Sequence, residues 1–204
     1  SRNSAQGDGG GIYMRGVSSP GFAGLTASDN SAGGDGGGVN YAAVSARSIA
    51  GATIGGNTAG GRGGGVFAKG VSGPDLADST ISGNRAEGTE EEAGGGGGVY
   101  INSVSVAVTD VSISHNAAEA NGGGIWGAAR SLRISGSAID GNTAAGNGGG
   151  IYRSLAPLED IEPPVSQSTA DASATTGSIG LTNSTVSGNT ANGIFDFEAV
   201  AGAN

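Results

Sequence analysis

A run of three glycines followed by Ile or Val recurs six times in this chain at nearly even intervals, and that repetition limits the possible folds more than any other feature. The copies are Gly9-Gly10-Gly11-Ile12-Tyr13, Gly36-Gly37-Gly38-Val39-Asn40, Gly63-Gly64-Gly65-Val66-Phe67, Gly96-Gly97-Gly98-Val99-Tyr100, Gly122-Gly123-Gly124-Ile125-Trp126 and Gly148-Gly149-Gly150-Ile151-Tyr152. A worn copy follows at Asn192-Gly193-Ile194-Phe195. The steps between successive apolar residues are 27, 27, 33, 26, 26 and 43. Self-similarity at a period near 27 marks a solenoid, and the two long steps mark loops inserted between coils.

A second column keeps the same beat: Asn3, Asn30, Asn57, Asn84, Asn116, Asn142 and Asn189. Three residues before each asparagine from the second onward stand Ala27, Ile54, Ile81, Ile113, Ile139 and Val186. Eight before stand Phe22, Ile49, Leu76, Val108, Ile134 and Leu181. Together with the residue after the glycines, each coil carries three short apolar columns flanked by Ser, Thr and Gly. This pattern predicts three short strands per coil in a parallel β-helix. Helix is a poor alternative: glycine fills 44 of 204 positions, and each one in a helix interior costs about 1 kcal/mol. The glycines suit corners that need positive φ or close backbone approach. Asparagines stacked at the strand spacing of about 4.8 Å predict an amide-to-amide ladder along the axis, in a residue that also tolerates left-handed backbone.

The spacing therefore predicts an all-β chain, a single β-solenoid domain over residues 1–204 with six to seven coils of about 27 residues. Two loop insertions are expected. One, near 87–95, is acidic (Glu87, Glu90, Glu91, Glu92). The other, at 153–178, holds Pro157, Pro163 and Pro164 and is unsuited to a central strand. The net charge of −9 argues against nucleic acid and anionic membranes as partners. There is no cysteine, hence no disulfide and no thiolate metal site. No apolar run is long enough to span a membrane as a helix.

The alternation of Gly-Gly-Gly-Ile/Val with Ile-x-x-Asn, as in Ile54-Gly55-Gly56-Asn57, and the segments Ser79 to Ala86 and Ser184 to Ala191 resemble right-handed parallel β-helix proteins of the pectate-lyase-like superfamily. More narrowly, they are similar to the repeats of chlamydial polymorphic outer-membrane proteins, whose motifs are Gly-Gly-Ala-Ile and Phe-x-x-Asn; this chain has Ile in place of the Phe. The resemblance covers nearly all of the chain outside the insertions. It implies a right-handed β-helix in a secreted or surface-exposed bacterial protein, often an adhesin or autotransporter passenger. It also implies what an enzyme of this fold would show: clustered acids for calcium beside an Arg or Lys base, or aspartates grouped across coils.

The residue before each glycine triplet is the column to search for such a site: Asp8, Asp35, Arg62, Gly95, Asn121 and Asn147. Asp8 and Asp35 are the candidate calcium ligands, short of the third oxygen donor such a site needs; otherwise this column is a set of polar corners, and no cofactor is expected. His115, the one histidine, takes a slot held elsewhere by Gly56, Gly83, Gly141 and Gly188, with no recurring acid or nucleophile beside it. It reads as a corner residue, and no catalytic residue is assigned. The column after the inward Ile or Val is aromatic at Tyr13, Phe67, Tyr100, Trp126 and Tyr152. Strand alternation places it outside, so an exposed aromatic stripe able to stack on sugars or another protein is expected. The column Ser31, Thr58, Arg85, Ala117, Thr143, Thr190 is too interrupted for an ice-binding threonine array. Asn183-Ser184-Thr185 is a glycosylation-type sequon.

The function expected from these features is structural: a secreted or cell-surface, adhesive or self-assembling β-solenoid without enzymatic activity. Its partners would be copies of itself, another surface protein or a glycan, and end-to-end stacking into a filament is an expectation because neither end carries a capping helix. The alternative is a carbohydrate-active enzyme or carbohydrate-binding module. Stacked acids in a groove beside a base would favour the enzyme.

Overall fold

The computed structural model describes residues 2–16, 21–42, 48–70, 75–89, 95–103, 105–129, 131–153 and 178–191. The insertion at 154–177, residues 90–94 of the other insertion and the closing copy at 192–195 lie outside the described residues.

Each coil feeds four stacked sheets, one more than the apolar columns suggest. Leaving the asparagine, the chain forms a two-residue strand: Ser4–Ala5, Ser31–Ala32, Thr58–Ala59, Arg85–Ala86, Ala117–Ala118, Thr143–Ala144 and Thr190–Ala191. These make a seven-stranded sheet. After the glycine corner come Ile12–Arg15, Val39–Ala42, Val66–Gly70, Val99–Ser103, Ile125–Gly127 and Ile151–Arg153, the second sheet. The third holds Phe22–Ala23, Ser48–Ala50, Asp75–Ala77, Ser105–Thr109, Ser131–Ser135 and Ser178–Thr182. The fourth holds Thr26–Ser28, Thr53–Gly55, Thr80–Ser82, Ser112–Ser114, Ala138–Asp140 and Thr185–Ser187. All pairings are parallel and follow coil order, so the described chain is an all-β parallel solenoid. The first sheet is hidden in the sequence for a physical reason. A two-residue strand with one inward alanine is too short to show an alternating pattern.

Like stacks on like through the register. Val66 pairs with Val39 and Val99, and Ile81 with Ile54 and Ile113. Val39, Ile49, Ile54, Val66, Ile81, Ile113, Ile125 and Ile139 are fully buried in one continuous inner core. Tyr41 also points inward and meets Phe22 edge-on, ring centroids 5.8 Å apart. Its buried hydroxyl has no partner among the described residues, and burial pushes that phenol well above its ordinary value.

The glycine triplet uses its three residues in two ways. Gly63 has φ 64°, a left-handed corner. Gly64 and Gly65 are needed for space: a Cβ on Gly64 would sit 2.5 Å from the Gly97 carbonyl oxygen, and one on Gly65 3.0 Å from Asn84 Nδ2. Neighbouring coils also hydrogen-bond through this corner, as Gly10 N–H to Gly36 O (3.2 Å) and Gly11 N–H to Gly37 O (3.1 Å), so pairing continues into the second sheet. Two further left-handed corners flank the fourth sheet. The one before it holds Gly24, Gly51, Asp78, Asp110, Gly136 and Asn183; the one after it holds Asp29, Gly56, Gly83, His115, Gly141 and Gly188. Apart from Arg2, the described non-glycine residues with positive φ are Asp, Asn and His, the types that best tolerate this conformation.

Candidate functional site

The asparagine column forms a hydrogen-bonded ladder. Asn30 Nδ2 donates to Asn57 Oδ1 (2.8 Å), Asn57 to Asn84 (2.9 Å), Asn84 to Asn116 (2.9 Å), Asn116 to Asn142 (3.0 Å) and Asn142 to Asn189 (2.9 Å). Asn3 donates to Asn30 at 3.0 Å. Each acceptor oxygen also takes the backbone N–H of the preceding rung, as Asn84 N–H to Asn116 Oδ1 at 2.9 Å. From Asn57 onward the second amide hydrogen goes to a backbone carbonyl of the coil before, as Asn116 Nδ2 to Ile81 O at 3.0 Å. Rungs from Asn30 to Asn142 are buried, and with every polar atom engaged they avoid the cost of buried unpaired groups. Rung spacing in sequence varies from 26 to 47 residues while the bond stays near 2.9 Å, so inserted loops leave the ladder intact.

The aromatic column does not form the exposed stripe expected from alternation. It lies apart from the inner core, in a second cluster, but Phe67, Tyr100 and Trp126 are buried to 3%, 2% and 1% exposure. Coil stacking brings the rings face to face: Phe67 to Tyr100 at 5.0 Å and 9°, Tyr100 to Trp126 at 4.3 Å and 8°. Each ring thereby covers its neighbour, worth about 0.5–1.5 kcal/mol per pair beyond the area buried. The Arg62 guanidinium lies 5.2 Å and 5.1 Å from the Phe67 and Tyr100 ring centres. Tyr152 ends the stack tilted, 6.4 Å and 31° from Trp126, and is half-buried. Tyr13, whose neighbour in the next coil is Asn40, is 46% exposed.

The Asp8–Asp35–Arg62 column is a cap and an ion pair. Asp8 Oδ1 accepts the Asp35 backbone N–H (2.8 Å), and Asp35 Oδ1 accepts that of Arg62 (2.8 Å). Asp35 Oδ2 then receives Arg62 Nη2 at 2.8 Å. Asp8 Oδ1 and both oxygens of Asp35 are thus engaged by the next coil. Burial alone would lower the Arg62 pKa, but the hydrogen bond and charge of Asp35 outweigh it and hold the guanidinium above its ordinary value. Burial pushes the Tyr100 phenol up, with Arg62 opposing. Neither group is set to exchange protons at neutral pH. His115 sits exposed on its left-handed corner, φ 55°. No three His, Cys, Asp or Glu side chains among the described residues could hold a metal together.

Two features escaped the sequence reading. Ser79 and Ser137 form a buried corner post, accepting Ala52 N–H (3.0 Å) and Val111 N–H (3.1 Å); Ala52 and Val111 in the same column obscure the pattern. A polar groove of about 390 Å³ lies between Thr89, Glu119, Asn121, Asn147 and the end of the aromatic stack at Tyr152. Its residues come from three coils, so only stacking assembles them.

Compared with known proteins, the chain matches no family model, no curated protein and no solved structure. What the fold defines is a class: the parallel β-solenoids.

Proposed function

We propose that this chain is an extracellular structural or adhesive β-solenoid without catalytic activity, which works through contacts of its surface with copies of itself or with other molecules. The observation that carries this reading is the state of the column Asp8, Asp35 and Arg62, where stacked acids meet a basic residue. Asp8, Asp35 and Arg62 are spent on capping and pairing, and Arg62 is held protonated, so it is no base. Self-association is supported by the translational repeat: each coil is built to pair with a near copy of itself. Electron microscopy across a concentration series tests it. Ordered filaments or lateral arrays are expected to increase with concentration, and discrete monomers throughout would remove self-assembly. Release of reducing ends or unsaturated products from a polysaccharide panel would overturn the non-catalytic reading.

The polar groove favours a second reading, a carbohydrate-binding module. A half-buried Tyr152 ring beside the Asn121 and Asn147 amides and the Glu119 carboxylate supplies a stacking face and hydroxyl partners in one concavity. Binding on a glycan array that Tyr152→Ala abolishes would establish it.

A further inference from the structure

We infer that Asn183 is the acceptor for an N-linked glycan, an inference that rests on the extracellular placement proposed above. Asn183-Ser184-Thr185 is the one Asn-x-Ser/Thr sequence in the chain, and the coil geometry explains why it occurs only there. Each ladder asparagine is followed two residues later by the alanine that ends a strand of the first sheet: Ala5, Ala32, Ala59, Ala86, Ala118, Ala144 and Ala191. The ladder therefore never generates an acceptor. Asn183 occupies the left-handed corner before the fourth sheet, with φ 48°. The second residue after this corner opens a fourth-sheet strand, where Thr26, Thr53, Thr80 and Thr185 are exposed. An asparagine on this corner thus gains a hydroxyl partner from the regular pattern, and in the other described coils the corner holds Gly or Asp.

The local contacts leave both reacting positions open. Ser184, the middle residue, is tied to the coil: its Oγ donates to Thr182 O (2.9 Å) and accepts Ser137 N–H (3.2 Å). Asn183 and Thr185 are exposed, and among the described residues the Asn183 amide makes no hydrogen bond. In the transfer, Asn183 Nδ2 bonds to the anomeric carbon of a lipid-pyrophosphate-linked oligosaccharide. The anomeric C–O bond breaks, the lipid pyrophosphate leaves with the electron pair, and the amide proton passes to a base of the transferase.

The test is cell-free translation of the full chain behind a secretory signal, with endoplasmic-reticulum microsomes, scoring only the protease-protected, translocated product. One glycan-sized shift, removed by endoglycosidase and absent from N183Q and T185V, is expected. A translocated wild-type chain without the shift, or a shift that survives in N183Q, overturns the assignment wherever the protein natively resides. Fractionation of source cells tests the extracellular reading separately. A second comparison separates acceptance from accommodation. A144T creates a sequon at the buried rung Asn142, so its glycosylated product should become protease-sensitive. The glycan at Asn183 should leave protease resistance equal to that of N183Q, and a loss of resistance there would refute the placement on an open corner.

Discussion

Asn116→Ala removes one rung from the middle of the ladder, and the structure sets the size of the effect. The side chain makes four hydrogen bonds: it accepts Asn84 N–H and Asn84 Nδ2 (both 2.9 Å) and donates to Ile81 O and Asn142 Oδ1 (both 3.0 Å). Asn142 Oδ1 keeps the Asn116 backbone N–H at 2.9 Å. Two N–H groups of Asn84 are orphaned where water does not reach. At about 1–3 kcal/mol for each buried orphaned donor, the two N–H groups alone cost about 2–6 kcal/mol, a large part of a typical total stability of about 5–15 kcal/mol. Urea unfolding followed by the strand circular-dichroism band measures it. A lower midpoint at unchanged m is expected, or a split transition if the coils on either side of the gap uncouple. The neighbouring His115→Gly is the control: it relieves a non-glycine left-handed residue on an exposed corner and should be neutral or stabilising by up to about 1 kcal/mol. A loss below about 1 kcal/mol for Asn116→Ala would refute the claim that the ladder is a principal source of stability.

Trp126, stacked and 1% exposed, should show blue-shifted emission resistant to acrylamide; ready quenching in the folded protein would contradict the buried stack. Gly64→Ala drives a methyl group to 2.5 Å from a carbonyl oxygen and should prevent soluble folding, whereas Gly24→Ala, with nothing within 4 Å of the new methyl, should lose only the left-handed strain of about 1–2 kcal/mol; equal losses would show that space is not the constraint. Tyr41 and Tyr100 both have phenol pKa values raised by burial. A raised folded-state pKa stabilises the fold below the unfolded value of about 10 and is lost as pH rises through it, so stability should fall in the alkaline range and the fall should shrink in Tyr41→Phe.

The coil period, the ladder positions and the inward columns were legible because each is a repeated demand on one residue type. Ile54, Ile81, Ile113 and Ile139 fill the same inward slot of the fourth sheet, and the interval between them is the coil itself. His115 was readable as a corner by substitution for glycine, and its φ of 55° agrees. The first sheet was not legible because Thr58–Ala59 and its counterparts are too short to alternate. The aromatic column was assigned to the correct side of the strand and the wrong environment. Alternation says which way Tyr100 points, but only the 4.3 Å and 5.0 Å contacts with its stacked neighbours and the guanidinium beside it say that the outside is covered. The groove between Glu119 and Tyr152 joins residues whose proximity depends on coil register, which composition does not encode.

The ladder has a sense. Every rung from Asn3 to Asn142 points its N–H toward the next rung, and every rung from Asn30 onward points its oxygen toward the one before. The amide dipoles therefore add along the axis as peptide dipoles do in a helix, and each bond polarises the next. A single reversed amide would set donor against donor on one side and oxygen against oxygen on the other, so no rung can flip alone. The rod thereby carries a vector in its interior that its outer surface does not display, and neighbouring rods lying side by side are electrically distinguishable as parallel or antiparallel.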